Sequence, residues 1–395
     1  MATSSRVLGG RRQGETITTK LLIDYLAKTC AEVVAIDHPF PVDPDITPLM
    51  SLYEDAELIS TERFPLPSSL ARGTPTDYEI HGSKTPLKYF AMKVLDFISD
   101  VYFVVGTRKR FTLFIGVEGI NTMAGLFLKR LGLVGAVVYY SYDYSERRFP
   151  ASGLASRIFV LQDSLCLKNS DVCWDALGTI NRPRAGIDLA VPPISAPAND
   201  ADFVKRRGHR LVYIGGLDPF NGTTVALEAM PLILQNVPDA HLDVIGAGRS
   251  DYVAELKSLT SKLNLDGRVT FHGFLPDGEV RAIFRECRVG LCPYQPFDRA
   301  MNDSSKARYY ALTGIPIVCT TAKPSMADSV AKFGSGLVCP PDAESIGGAA
   351  SRLLTDDALY EECLQNCRKM AESSNSDRAY ESLLKRSLEI IANGH

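Results

Sequence analysis

The sequence lacks the cysteine and histidine patterns of a metal-binding protein. Its nine cysteines form no CxxC pair, and the closest two, Cys363 and Cys367, have no accompanying histidine. We therefore predict no metal site. An odd number of scattered cysteines is also more typical of a reducing compartment than of a disulfide-linked secreted protein.

The chain also lacks a strong net charge and a long apolar run. A net charge of −3 predicts no partnership with nucleic acid. The N-terminal residues contain no apolar core of a signal peptide. The most apolar segment, Tyr89–Gly106, is interrupted by Lys93, Asp96 and Asp100, which excludes a membrane span.

This apolar segment permits two interpretations. A buried amphipathic helix with solvated flanks is favoured, but the basic residues around it would also let it rest on a bilayer surface. Those residues are Lys84, Lys88, Lys93, Arg108, Lys109 and Arg110. Peripheral contact with a membrane is therefore an alternative that the sequence leaves open.

Length and composition predict a soluble protein of two domains. A chain of 395 residues exceeds the usual size of one domain, and its 45% hydrophobic and 23% charged residues are ordinary for a globular protein. The Pro- and Ala-rich stretch 181–207 has no sustained periodicity and is typical of a linker. We place an N-terminal domain at 1–190, the linker at 191–207 and a C-terminal domain at 208–377.

Strands and helices alternate in both domains. The predicted strands of the first are Arg6–Gly10, Glu32–Asp37, Phe111–Val117, Gly135–Tyr140 and Asp171–Trp174, and its helices are Thr16–Thr29, Leu87–Gly106, Asn121–Leu131 and Gly153–Asn169. Pro39–Pro75 is predicted to be irregular. The same rhythm restarts at Arg210 and predicts an α/β fold of two Rossmann-like doubly wound domains. We expect them to face each other across a cleft, where the loops after the strands would bind ligands.

The stretch Asp303–Thr320 is the strongest candidate for a binding element. Asp303 or Ser304 can cap a helix, and Lys306 would lie in its first turn on the same face as Tyr309. A helix N-terminus beside a lysine is suited to holding a phosphate. The alternative is an ordinary helix–strand unit of an α/β core.

Several stretches of the second half, in this order and spacing, resemble the donor-binding half of retaining glycosyltransferases of the GT-B fold. They lie between about Leu211 and Leu354 and include LVYIGGL, VTFHGFLPDGEV, DSSKARYYALTGIPIV and GSGLVCPPDAESI. SYDYSERRF and DSLCLKNSDVCW in the first half resemble a branch of that family. The resemblance implies a C-terminal domain for a nucleotide-sugar and an N-terminal domain for the acceptor. It also implies that the last helix, 378–395, packs back on the N-terminal domain.

Strand-end position and this resemblance together indicate the site residues. Lys306 would stabilise the leaving diphosphate, so Lys306→Ala is expected to abolish donor binding. Glu118 and Asp143 are carboxylates at strand ends, where a general base or a hydroxyl clamp belongs. The predicted donor-binding residues are Gly14, Gly215, Gly216, Asn221, Gly246, His272, Asp303, Ser304, Ser305, Lys306 and Tyr309.

The sequence departs from the family at four positions. Gly216 and Asn221 stand where the resemblance implies an arginine and a lysine. Positions near Met301 and Tyr309 stand where it implies paired glutamates. One branch of the family has a D-P-x-K pattern, which DSSK resembles, and does not strictly require those glutamates. Two alternatives follow: a catalytically degenerate protein that binds a nucleotide-sugar or glycan for a partner, and a sugar-nucleotide epimerase.

The reaction that we predict moves a hexose from a UDP- or GDP-sugar to a carbohydrate or lipid-linked acceptor. The resemblance implies retention of configuration, no metal, and no cofactor beyond the nucleotide-sugar co-substrate. Two glycosylation sequons, at Asn221 and Asn302, lie in loops where a glycan would block the expected cleft. They favour a cytoplasmic location, with the cytosolic face of a membrane as the alternative.

Overall fold

The structure is a computed structural model that divides into two compact units, each with its own β-sheet. One unit holds the first half of the chain and the C-terminal helix, and the other holds the second half. The described residues are 6–11, 17–38, 46–67, 86–141, 153–175, 187–188, 204–296, 306–373 and 376–393.

The first unit is built on an eight-stranded sheet. Its strands are β1 (Arg6–Arg11), β2 (Glu32–His38), β3 (Leu49–Glu54), β4 (Glu57–Arg63), β5 (Phe111–Val117), β6 (Val134–Ser141), β7 (Val172–Asp175) and β8 (Ile187–Asp188). Its first four helices are α1 (Ile17–Thr29), α2 (Pro86–Gly106), α3 (Glu118–Arg130) and α4 (Gly153–Asn169). The strand order is β4-β3-β2-β1-β5-β6-β7-β8. After β1 the chain continues to β2 on one side, and after β5 it continues to β6 on the other side. The carboxyl ends of β1 and β5 are therefore a switch point of the sheet.

The prediction that Pro39–Pro75 is irregular is wrong for the middle of this segment. There β3 and β4 form an antiparallel hairpin that extends the otherwise parallel sheet beyond β2. Asp55 and Ala56, at its turn, both have positive φ, 49° and 69°. Such turns usually carry Asn-Gly or Asp-Gly, so Asp-Ala gave no hairpin signal.

Helix α2 packs on the sheet through one side only. Met92, Phe103 and Val104 are buried against it, as the favoured interpretation predicts. The outward side carries exposed apolar residues in place of the expected polar ones. Among the described helices, none combines the length and apolar character that a membrane crossing requires.

The second unit has a six-stranded, fully parallel sheet. Its strands are β9 (Arg210–Ile214), β10 (His241–Ile245), β11 (Val269–Gly273), β12 (Cys287–Cys292), β13 (Ile317–Thr320) and β14 (Gly336–Cys339). Its helices are α5 (Thr223–Asn236), α6 (Ser250–Lys262), α7 (Asp277–Glu286), α8 (Lys306–Leu312), α9 (Pro324–Phe333), α10 (Ala343–Thr355) and α11 (Asp357–Ser373). The order β11-β10-β9-β12-β13-β14 places the switch point between β9 and β12.

The end of the predicted linker packs into the second unit. Arg206 is buried, and its guanidinium donates hydrogen bonds to the carbonyl oxygens of Arg285, Thr313 and Gly314. Its neighbour Lys205 forms an exposed ion pair with Glu361. The described part of the linker is therefore held in place at its C-terminal end.

The C-terminal helix, α12 (Ser376–Asn393), lies in the first unit beside α1. Tyr380, Leu383 and Leu384 are buried in the core on that side of the sheet. The indole Nε1 of the buried Trp174 donates a hydrogen bond of 2.9 Å to Ser387 Oγ. The helix therefore completes a core whose other members come from the first half of the chain.

We predict that Ser387→Ala destabilises the first unit by about 1–3 kcal/mol, because the buried Trp174 N–H would lose its acceptor. The change in the free energy of unfolding can be measured by urea denaturation, with the fluorescence of Trp174, the only tryptophan in the sequence, as the signal. Ser382→Ala, exposed on the same helix, is the matched control and should be neutral. Equal effects of the two substitutions would contradict the role of the hydrogen bond.

Candidate functional site

Two glycine turns meet beside the switch point of the second sheet. Gly215 follows β9 and Gly246 follows β10, and both have a φ of +139°. The N–H of Gly215 donates to Ile245 O at 3.0 Å, and a Cβ on Gly246 would lie 1.9 Å from Gly215 O. Only glycine fits there, because the two turns pack backbone against backbone.

Side-chain hydrogen bonds hold the loop after Gly215 in its conformation. Gly216 O accepts hydrogen bonds from Tyr213 Oη at 2.7 Å and from Asn221 Nδ2 at 2.8 Å. A Cβ on Gly222 would lie 1.7 Å from Pro293 O, so the loop also packs against the segment after β12. Asn221 therefore shapes the loop, in a position where the resemblance implied a positive charge.

Lys306 places its amine directly beside the first glycine turn. The residue opens α8 and is only 5% exposed. Its Nζ lies 4.0 Å from the ring centroid of Tyr213 and 4.6 Å from that of Tyr294, within the range of cation–π attraction. A Cβ on Gly215 would lie 3.3 Å from the same Nζ.

The environment of Lys306 lowers its pKa to about 7. Burial is the main cause, because an ammonium loses hydration there, and the nearby Lys323 adds repulsion. Cys292 and Cys319 act in the opposite direction. A bound anion would favour the protonated form of the amine.

His272 and Tyr309 have structural partners. His272 Nε2 lies 2.8 Å from Oδ1 of the fully buried Asp243, and the ring of Tyr309 packs 5.3 Å from that of Phe284. Both residues therefore hold the second unit together. The donor contacts expected of them stay predictions.

Sequence reasoning missed Asp243. Its carboxylate also accepts two-pronged hydrogen bonds from Arg210, at 3.0 Å from Nε and 2.7 Å from Nη2. The signal was present, because an aspartate in the middle of the otherwise apolar strand HLDVI needs a buried partner.

In the first unit, Glu118 lies at the carboxyl end of β5, next to the switch point of that sheet. It is the first residue of α3 and has a φ of +67°, a conformation that costs a non-glycine residue energy. Thr122 Oγ1 shares its one hydrogen between the carbonyl oxygens of Gly116 and Glu118, at 3.0 and 2.8 Å. The helix begins three residues before the predicted start at Asn121.

A buried polar cluster that the sequence analysis did not identify lies nearby. His38, the last residue of β2, has its Nε2 3.3 Å from Asp100 Oδ1, and its Nδ1 lies 3.5 Å from Asn121 Nδ2. Burial alone would lower the pKa of His38, but Asp100 and Asp96 outweigh it and raise the pKa. Lys93, Asp96 and Asp100 share one face of α2, and this helical spacing was the available signal.

The remaining predicted site residues, Gly14, Asp143, Asp303, Ser304 and Ser305, lie outside the described residues. Within the described ranges, no group of three or more histidine, cysteine, aspartate or glutamate side chains is placed to hold a metal ion.

Sequence comparison finds a family match within the second unit. The family model described as "Glycosyl transferases group 1" matches residues 208–356. The proposed glycosyltransferase YtcC of Bacillus subtilis (strain 168) is 26% identical over 208 residues, which cover 48% of this chain and 49% of YtcC. The chain thus aligns with about half the length of this curated relative.

Solved structures match over nearly the whole chain. Sucrose-phosphate synthase from Thermosynechococcus elongatus superposes with a TM-score of 0.70 at 16% identity, covering 99% of this chain and 100% of its own. HepE from Anabaena, solved with UDP, gives 0.61 at 14% identity and covers 98% and 99%. The catalytic domain of starch synthase IV from Arabidopsis thaliana gives 0.66 at 9% identity and covers 98% and 100%.

These identities are low, so the structural matches establish the fold. They confirm the predicted α/β fold with Rossmann-like parallel sheets. The chain therefore has the GT-B fold, and its residues 208–356 are similar to the glycosyl transferases group 1 family.

Proposed function

We propose that the protein is a glycosyltransferase that moves a hexose from a UDP- or GDP-sugar to a carbohydrate or lipid-linked acceptor. We further propose that it retains the anomeric configuration and needs no metal ion. The family match of residues 208–356 supports transfer of a sugar. HepE, solved with UDP and with UDP and glucose, supports a UDP-hexose as the first donor to test.

The observation that carries this proposal is the position of Lys306 beside the Gly215 turn. A nucleotide diphosphate leaves with negative charge on its oxygens, and a buried ammonium stabilises such charge far better than an exposed one. Lys306 Nζ lies near the backbone of Gly215 at a switch point, where open α/β sheets bind ligands. In this proposal it supplies the positive charge that Gly216 and Asn221 do not bring.

The acceptor side of the proposal rests on Glu118. A strained residue at a strand end is a common property of functional sites, and a carboxylate there can orient or deprotonate a hydroxyl. Asp143 is the second candidate for this role from its place in the sequence.

A second candidate function is a non-catalytic subunit that binds a nucleotide-sugar or glycan. Two observations favour it: the loop from Gly216 to Asn221 has no cationic side chain, and Tyr309 packs against Phe284 where a ribose ligand was expected. A sugar-nucleotide epimerase is the third.

Incubation of the purified protein with a panel of UDP- and GDP-hexoses tests these functions. We expect slow release of UDP or GDP without acceptor, and a thermal shift with the same nucleotide. Binding without release, even with glycan acceptors present, would favour the non-catalytic subunit. Isomerised donor would identify an epimerase. Neither turnover nor a thermal shift would overturn the proposed function.

A further inference from the structure

The outer surface of α2, α3 and α4 is strongly apolar. Its ten large apolar residues, between 41% and 70% exposed, are Val94, Ile98, Tyr102, Val105, Phe127, Leu131, Leu154, Ile158, Leu161 and Leu165. We call these ten residues the apolar face. On α2 and α4 they recur every three or four residues, so each helix carries one continuous stripe.

The three helices form one layer on the same side of the first sheet. The ring centroids of Phe97 on α2 and Phe127 on α3 are 5.9 Å apart, and Cys166 Sγ on α4 donates to Gly119 O on α3 at 3.1 Å. Scattered exposed apolar residues are normal, but a contiguous face of this extent marks an interaction surface.

The acidic and basic side chains of this layer differ in their exposure to solvent. Asp96, Asp100 and Asp163 are buried and point to polar partners inside, and Glu118 is half-buried. The exposed charged side chains on the described parts of these helices and the turn after α2 are all basic: Arg108, Lys109, Arg110, Arg130, Arg157 and Lys168. Of these, Lys109 is paired with Glu32 of β2. The partner that this surface fits is therefore apolar in the middle and negatively charged around it.

We propose that the apolar face docks on the surface of a lipid bilayer that contains anionic lipids. The stripes of α2 and α4 would enter the boundary between headgroups and acyl chains, and the basic residues would contact the anionic headgroups. A second copy of the chain is a poorer occupant, because a two-fold contact would bring the same basic residues together. The proposal uses residues outside the donor site and does not depend on the proposed function.

Co-sedimentation with vesicles tests the proposal. We expect the full chain to bind vesicles of phosphatidylcholine mixed with phosphatidylglycerol, to bind pure phosphatidylcholine much less, and to be released by salt. The double variant Ile98→Glu/Leu161→Glu should lose binding, because it puts two carboxylates on the apolar face. The matched control is Leu388→Glu on α12, 40% exposed on the opposite side of the sheet, and it should bind as the wild type does.

A second variant separates charge from apolar contact. Arg157→Glu/Lys168→Glu should weaken binding to the mixed vesicles by about tenfold or more. Thermal unfolding of every variant checks that the fold is retained. The proposal is overturned if the wild type binds neither vesicle, or if Ile98→Glu/Leu161→Glu binds as tightly. It is also overturned if the wild type forms a dimer that this variant dissociates, since the face would then belong to a second copy.

Discussion

Lys306→Met is expected to abolish the binding of UDP-glucose and, at the same time, to stabilise the protein. The loss follows because a charge-assisted contact to the diphosphate disappears, which we expect to weaken binding about a hundredfold or more. The stability gain follows because burial lowers the pKa of Lys306 from 10.5 to about 7. Each pKa unit corresponds to about 1.4 kcal/mol, so the ionised amine costs the fold several kcal/mol.

Calorimetric titration and thermal unfolding would measure the two effects. Lys332→Met, an exposed lysine of α9, is the matched control and should change neither quantity much. A Lys306→Met variant that binds UDP-glucose normally would contradict the donor role. A variant that is less stable than the wild type would contradict the cost assigned to the buried amine.

The pH dependence of the wild type gives an independent measure of the same group. The unfolded chain holds the Lys306 proton more tightly, so the stability of the wild type relative to Lys306→Met should rise as the pH goes from about 7 towards 10.5. Affinity for UDP-glucose, whose diphosphate keeps its charge over this range, should fall over the same interval because binding needs the protonated amine. A difference in stability between the two proteins that does not change with pH would contradict the assignment to Lys306.

Gly246→Ala is the second substitution with a large expected effect. Its Cβ would lie 1.9 Å from Gly215 O, so the two glycine turns would have to separate. We expect a loss of about 3 kcal/mol or more in the free energy of unfolding. Nucleotide affinity should fall as well, because the backbone beneath Lys306 moves.

Gly267→Ala is the control that measures the cost of backbone strain without a steric clash. Gly267 also has a positive φ, +78°, but a Cβ there meets no atom within 4 Å. Its substitution should cost only about 1–2 kcal/mol and leave nucleotide binding unchanged. Similar affinities for UDP-glucose in the two variants would show that the packing of the two turns does not position the donor site.

Much of the fold followed from local patterns in the sequence. Strands such as Phe111–Val117 and helices such as Gly153–Asn169 were predicted to the residue, because their periodicity and their boundaries agree. The hairpin of β3 and β4 was missed because Asp55 and Ala56 adopt a turn that their residue types do not favour. Local propensity carries little information where tertiary contacts decide the conformation.

The candidate site was predictable only in part, for a similar reason. Lys306 was identified from its neighbours in sequence. The rings around it, Tyr213 and Tyr294, are distant in the chain and gave no local signal. The bond between His272 and Asp243 likewise joins two strands, and the sequence alone left open whether His272 lines a donor pocket or lies in the core.

The position of α12 has a consequence for how the chain folds during synthesis. The first unit emerges first from the ribosome, yet Trp174 and the core beside α1 lack Tyr380, Leu383 and Ser387 until the last helix is made. The second unit, residues 194–298 and 303–375, is made in full before α12 and can close earlier. During translation the second unit should therefore be completed before the first. The core of the first unit stays incomplete until α12 has been made.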